Sequence, residues 1–224
     1  MKSGQVVVHL LVPDAVSPES ALAGITHEEL IRARQFRFAK DADRWVSFRS
    51  QLRVILGQAL NLPPLEVPLA LSDQGKPLLS PPHDLVHFNL SHCAELGLVA
   101  ISSDGPTGVD LESLDRRHDL LGCESTFCHP EEIARLPQGE TERAIRLLEI
   151  WTSKEAVLKA LGTGLIHPPE TVRVDLADPV GQAVSDSPLE GIENQQIHVL
   201  VHPRLVNYRA VVSAVRSVGS IEFI

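Results

Sequence analysis

Apolar and polar residues alternate with a period of two along several short stretches and with a helical period along a few longer ones, which divides the chain into strands and helices. Strands are expected at residues 6–12, where Val6-Val7-Val8 and Leu10-Leu11-Val12 flank a histidine, and at 66–71, 86–90 and 96–102. Helical patterning covers 26–39 and 41–60. Farther on, the pattern predicts a strand at 108–112, a short helix at 130–136, a long helix over about 141–161, and strands at 171–176, 196–201, 208–215 and 221–224. Residues 178–194, rich in Pro, Gly, Ser and acidic side chains, read as a loop.

The chain also resembles itself. At a shift of 105 residues, LGQALNLPPLEVPLAL (56–71) falls on LGTGLIHPPETVRVDL (161–176), with 7 identities in 16 positions. Both copies read as a helix stopping at a glycine, a Pro-Pro corner and an alternating strand. Either a common helix-corner-strand phrase has arisen twice, or the chain is two similar halves. The shift is nearly half the chain, so the expected fold class is α+β, with halves 1–105 and 106–224 joined near Asp104-Gly105-Pro106-Thr107.

Composition narrows the class of protein. The 224 residues are 43% hydrophobic and 22% charged, as in a folded globular protein. The apolar runs are strand-sized, far short of the about 20 residues that cross a bilayer. The apolar N-terminal stretch ends at Pro13 without a small-residue cleavage site, so a cytoplasmic location is expected. Cys93, Cys123 and Cys128 lack CxxC spacing, and no ligand pair has the spacing of a structural zinc site, so reduced thiols are the default. A net charge of −9 argues against a general nucleic-acid binder. The charge is uneven, however: Arg32, Arg34, Arg37, Lys40, Arg44, Arg49 and Arg53 face only Asp41 and Asp43 within one stretch. On its own, that run reads first as a solvated helix face.

Asp110 and Glu112 lie two apart on an expected strand, so both carboxylates leave one face, suited to a hard divalent cation or simply to solvent. On the long helix, Ala144, Leu147, Leu148, Trp151 and Leu158 form an apolar arc opposite Glu142, Arg146, Glu149 and Ser153. Glu155 falls inside that arc, where a carboxylate needs a compensating partner. Either a metal or Lys159, one turn on, could supply it. Ser91-His92 closes a strand and follows Gly75-Lys76-Pro77; hydroxyl, imidazole and lysine all suit phosphate oxygens.

Taken together, GKP, FNLSH, GVDLE and WTSKEAVLKALGTGL, in this order over about ninety residues, closely resemble the 4′-phosphopantetheinyl transferases of the surfactin-synthetase-activating type, in their W/KEA branch. Arg37-Phe38, Asp43-Arg44 and Leu52-Arg53 extend the resemblance over most of residues 32–176. It implies a monomer of two α+β halves related by a pseudo-twofold axis, with the active site at their interface. It further implies Mg²⁺-dependent transfer of the phosphopantetheine arm of coenzyme A to a serine of an apo acyl carrier protein or peptidyl or aryl carrier domain, releasing adenosine 3′,5′-bisphosphate. No nucleic acid or membrane partner is expected.

By motif position, Asp110, Glu112 and Glu155 would hold Mg²⁺, and the catalytic set would be Glu155, Asp110 and Lys159. Glu155 would act as metal ligand, as base, or as both. Lys159, His92, Lys76, Ser91 and Lys154 would contact coenzyme A, with Arg32, Arg34, Arg37 and Arg49 of the basic stretch as further phosphate ligands. Arg32 and Arg34 stand where the family often uses lysines for the 3′-phosphate. Glu131 or Glu132 takes an acidic motif position, and Phe127 within 113–135 is the expected carrier-facing surface. A noncatalytic binding module would be favoured had a carboxylate been lost, and all three are present. An unrelated phosphotransferase would need a phosphate-cradling loop before a helix, whereas Gly162-Thr163-Gly164 follows one.

Overall fold

The computed structural model describes residues 4–72, 75–93, 95–176, 180–215 and 219–224. In chain order its elements are β1 (Gln5–Leu11), α1 (Pro18–Ala23), α2 (His27–Ala33), α3 (Ala39–Leu60), β2 (Leu69–Leu71), β3 (Pro77–Leu79), β4 (His87–Cys93) and β5 (Leu96–Ser102). They continue with β6 (Thr107–Ser113), α4 (Glu124–Phe127), α5 (Pro130–Ile133), α6 (Glu140–Leu161), β7 (Val172–Asp175), β8 (Gly181–Ser185), β9 (Gln195–Val199), β10 (Tyr208–Val215) and β11 (Ser220–Phe223).

The strands form a sheet ordered β11-β1-β5-β4, a second ordered β6-β10-β9-β8-β7, and a β2-β3 ribbon. Strand periodicity explains the layering. Val6 and Val8 share one face of the first sheet with Leu98 and Ala100, and pack against Val109, Leu111, Ala210, Val212 and Ala214 of the second. Leu11, Val99 and Ile101 on the opposite face meet Phe48, Leu52 and Leu56 of α3. On the far side of the second sheet, Val172, Val174, Ile197 and Val211 meet Leu147, Ile150, Val157 and Leu158 of α6. The result is helix, sheet, sheet, helix: a mixed α+β fold in which β1 and β5 are buried on both faces.

The antiparallel register sets Asn89 opposite Ala100 across β4 and β5, and Asp110 opposite Val211 across β6 and β10. Strand β11 runs parallel to β1, so the end of the chain completes the first half's sheet. Helix α6 lies directly over β6 because Gly108 lets it. A Cβ at Gly108 would sit 2.0 Å from the Ala156 carbonyl oxygen and 2.5 Å from the Ala160 nitrogen, closer than atoms pack.

Several expected boundaries move. The helix predicted over 26–39 ends at Ala33, and the next begins at Ala39. The intervening turn sets Phe36 against Trp45, with ring centroids 5.9 Å apart. Helix α1 was absent from the expectation despite its Ser17 cap and Pro18 at the first position. The strand expected at 66–71 begins only at Leu69, after a 3₁₀ turn at Pro64–Glu66. Residues 178–194 are not simply a loop, since they contain β8; Asp178 and Pro179 lie outside the described residues. In the internal repeat, the helix does not stop at Gly57. It continues to Leu60 and is capped by Asn61 at φ 56°, whereas Gly162 does cap α6. Gly57 serves a different need, because a Cβ there would lie 2.7 Å from the Leu62 carbonyl oxygen. The Pro-Pro corners do correspond, each opening a 3₁₀ turn at its second proline.

Candidate active site

Where the two face-packed sheets come together, their edge strands β4 and β6 lie against each other. An edge strand carries unpaired backbone donors that need partners when buried. Asn89 Oδ1 accepts the Val109 N–H at 2.9 Å, stitching β4 to β6. Two residues on, and therefore on the same side of β4, the Ser91 hydroxyl donates to Asp110 Oδ1 at 2.9 Å. His92 points the other way, to within 5.9 Å of the Phe48 ring.

The Asp110 and Glu112 side chains face α6, which brings Trp151, Glu155 and Lys159 over them. Asp110 is only 4% exposed. Its Oδ1 also accepts from Lys159 Nζ at 2.6 Å, while its Oδ2 is buried with no hydrogen-bond partner. Glu155 repeats the asymmetry: Oε2 lies 4.0 Å from Lys159 Nζ, and Oε1 is buried without a partner. Burial first, then the attraction of Lys159 in opposition, then the charges of Asp110 and Glu112 leave the Glu155 carboxyl above the usual carboxylate range. Burial and Asp110 raise Glu112 as well, against a salt bridge to Arg116 at 3.4 Å and a hydrogen bond from the Trp151 indole.

Hard carboxylate oxygens, two of them unpartnered, fit a hard divalent cation. As placed, no three His, Cys, Asp or Glu side chains among the described residues are gathered to hold one. The Lys159 ammonium instead reaches into the carboxylate set.

Cavities open on the first-half side of this cluster. One of about 370 Å³ is lined by Phe36, Asp41, Arg44, Trp45, Phe48, Arg49, Pro77 and His92. Another of about 440 Å³ shares Trp45, Arg49 and Pro77, and adds Arg32, Arg53, Glu29 and Gly75. A third of about 270 Å³ is lined by Lys76, Pro77, His87 and Thr107. Burial, then Arg44 and Lys159, lower the His92 imidazole below its ordinary value, so it is neutral at neutral pH. The Lys76 ammonium donates to the Lys159 carbonyl oxygen at the end of α6, tying the start of β3 to that helix; burial and the nearby Lys159 charge lower its pKa.

The structure separates the candidate residues. Ser91, Asp110, Glu112, Glu155 and Lys159 converge, with His92 and Lys76 in adjoining cavities. Arg32 lines the 440 Å³ cavity, whereas Arg34 and Arg37 line none of these three cavities. Arg37 instead lies over the Phe38 ring, 5.2 Å from its centroid. Arg49 lines two cavities but is ion-paired with Glu29, so its charge is largely spent on the fold.

Lys154 is a correction. It is 0% exposed, and its ammonium is held by Glu132 Oε2 at 2.6 Å and by the carbonyls of Phe127 at 2.7 Å and Pro169 at 3.1 Å. That lysine fixes the segment around α4 and α5 against α6 and cannot reach the cavities. Ser153 is buried too, against the expected polar face, and its hydroxyl donates to the Glu149 carbonyl oxygen. Glu132 is the buried acid, accepting from the His129 and Val174 backbone N–H groups, while Glu131 stays at the surface with Arg173. Phe127 is 2% exposed and packs edge-on against Trp151, so it presents no outward surface.

Sequence reasoning gave no role to Asn89, Gly108 or the aromatic wall of Phe36, Trp45 and Phe48. Asn89 could have been found, because on a strand it shares the face of Ser91.

Comparison with known proteins gives the arrangement a context. The pattern of the 4′-phosphopantetheinyl transferase superfamily matches residues 106–212, and that of the 4′-phosphopantetheinyl transferase N-terminal region matches 13–104. The 4′-phosphopantetheinyl transferase HetI of Nostoc sp. is 35% identical over 165 residues, covering 70% of each chain. A 4′-phosphopantetheinyl transferase of Bacillus subtilis is 27% identical over 161 residues, covering 70% of this chain and 69% of its own. A Synechocystis relative is 32% identical over 143 residues, which cover 63% of this chain and 58% of that relative. The chain thus spans between about six and seven tenths of the length of these relatives.

Proposed function

Because the chain belongs to the 4′-phosphopantetheinyl transferase superfamily, of the surfactin-synthetase-activating type, we propose that it moves the phosphopantetheine arm of coenzyme A onto the serine of an apo acyl, peptidyl or aryl carrier protein. The carrying observation is the pair of buried, unpartnered oxygens, Asp110 Oδ2 and Glu155 Oε1, beside Lys159 and next to arginine-lined cavities. Such a site awaits a cation on one side and phosphates on the other.

In this reading the carrier serine oxygen bonds to the β-phosphorus of coenzyme A. The bond from that phosphorus to the bridging oxygen breaks, and adenosine 3′,5′-bisphosphate leaves with the bridging oxygen. The serine proton goes to the Glu155 carboxylate, which carries a buried oxygen without a hydrogen-bond partner. Asp110, Glu112 and Glu155 would hold Mg²⁺, which when bound supplies positive charge to the pyrophosphate. Lys159 and neutral His92 donate to phosphate oxygens, Ser91 holds Asp110 in place, and Arg32 meets the 3′-phosphate at the cavity wall.

The halves 1–105 and 106–224 supply the two sides of the site within one chain, so a monomer suffices; we read them as pseudo-twofold repeats. No helix among the described residues is long and apolar enough to cross a membrane. We place the protein in the cytoplasm, where coenzyme A is available, and assign it no nucleic-acid partner given its net charge of −9. The carrier, itself acidic in this class, would dock through a local patch rather than through overall attraction.

Incubation with coenzyme A, Mg²⁺ and a panel of apo carriers tests the proposal. One carrier should gain the mass of a phosphopantetheine group, EDTA should stop the gain and Mg²⁺ restore it. No gain on any carrier, or a gain indifferent to EDTA, would refute it.

A further inference from the structure

We propose that Lys159 is the resident counterion of the carboxylate set and yields it to a divalent cation only when the pyrophosphate of coenzyme A offers its ammonium another partner. Metal and coenzyme A then bind as a coupled pair. This inference rests on the functional reading above.

The geometry carries it. Lys159 Nζ lies 2.6 Å from Asp110 Oδ1, 3.3 Å from Ser91 Oγ and 4.0 Å from Glu155 Oε2. Any cation drawn to those carboxylates competes with an ammonium already paired there. Asp110 is 4% exposed, so without a cation its charge is costly, and Lys159 meets that need. Yet the lysine is not locked. Its side chain is 26% exposed and stands in the last turn of α6, on a flexible stem. Lys76 grips only its backbone carbonyl, so the main chain is anchored there while the ammonium is held by the carboxylate set and Ser91 alone. Linkage then requires reciprocity: if coenzyme A draws Lys159 away and so strengthens metal binding, the metal must strengthen coenzyme A binding by the same factor.

The test uses the full chain and Mn²⁺ as probe, with free ion counted by electron paramagnetic resonance, with and without coenzyme A. The wild type should bind Mn²⁺ weakly alone and more tightly with coenzyme A. Lys159→Met should bind Mn²⁺ alone at least about tenfold more tightly than wild type, with a smaller gain on adding coenzyme A. Its thermal midpoint should also rise more with Mn²⁺ than the wild type's, since a ligand of the native state stabilises by mass action. Lys159→Gln keeps an N–H donor for Asp110 without the charge, carries the same expectation and guards against a folding defect. Lys159→Arg keeps the charge and should behave as wild type. Equal Mn²⁺ affinity in wild type and both uncharged variants, without coenzyme A, would overturn the proposal. A wild type that bound no Mn²⁺ even with coenzyme A would refute the metal assignment itself, and the displacement with it.

Discussion

At the residue scale the chemistry rests on a few side chains whose neighbours define their tasks. Asp110 keeps one buried oxygen without a partner, and Glu155 on the helix above keeps another. Replacing Asp110 with Ala, or Glu155 with Gln, should leave a folded protein with turnover reduced by about 10²–10³, the usual cost of removing a preorganised electrostatic group. A carrier-modification assay on variants checked by circular dichroism measures this, and near wild-type turnover would clear the residue of its role. Arg32 and Arg34 give a second, differential prediction. Arg32→Ala should weaken coenzyme A binding by roughly ten- to hundredfold, from loss of a charge-assisted contact worth about 1.5–3 kcal/mol. Dephospho-coenzyme A should be affected far less, and Arg34→Ala should change neither, because Arg34 does not line the cavity that Arg32 does. Equal weakening of both ligands by Arg32→Ala would mean a general defect. These residues differ in how readable they were. The three carboxylates stood out by spacing and by a charged residue within an apolar arc. Lys154 misled for a physical reason: motif position cannot tell an ammonium that meets a ligand from one consumed by Glu132 and two carbonyls, a distinction set by distant segments folding over α6.

At the scale of elements, the site depends on how closely α6 lies on β6 and how α2 is fastened to α3. Gly108→Ala would push a methyl into the backbone of Ala156 and Ala160 and must lift the helix from the strand. Overpacking of this kind costs about 1–3 kcal/mol, and more where backbone must move. We expect a lower denaturation midpoint together with lost transfer, because Glu155 and Lys159 rise away from Asp110. Unchanged stability and activity would show that the contact is not needed. Glu29 closes the capping box of α2 with Thr26 and also binds Arg53 at 2.7 Å, with Arg49 as a further partner. Burial alone would raise its pKa, but the hydrogen bonds from Arg53 and Thr26 and the charge of Arg49 together lower it below 4.5. The unfolded chain therefore holds more protons between the lowered value and 4.5. The stabilisation is complete above 4.5 and is lost as pH falls through the lowered value. Glu29→Gln should cost about 3–5 kcal/mol near neutral pH, since two arginines lose their counterion, and much less in acid. Urea melts at several pH values would show this, and a penalty independent of pH would contradict it. Regular elements were legible from periodicity, as with 96–102 and 208–215. Strand β8 was not, because its buried positions are only Gly181 and Ala183, too small to stand out as an apolar stripe. The break between α2 and α3 was hidden for another reason: it serves the contact of Phe36 with Trp45, which local patterning does not contain.

At the scale of the whole molecule, two sheets are joined back to back, each covered by a 22-residue helix, and the candidate site lies where edge strands β4 and β6 meet. The internal repeat carries the expectation of two halves, and its Pro-Pro corners recur in the fold. The return of β11 to the first sheet was not visible, since parallel pairing of residues 215 apart leaves no trace in a local pattern. The account's central claim is that this seam transfers phosphopantetheine from coenzyme A to a carrier serine rather than merely binding or cleaving the nucleotide. The most direct measurement is simultaneous quantification by mass spectrometry of holo-carrier formed and adenosine 3′,5′-bisphosphate released, in a single turnover with Mg²⁺ and the preferred apo carrier. Equal amounts of the two products, both abolished by Asp110→Ala, are predicted. Release of the bisphosphate without holo-carrier, or formation of neither by the wild type with every carrier tried, would contradict the account.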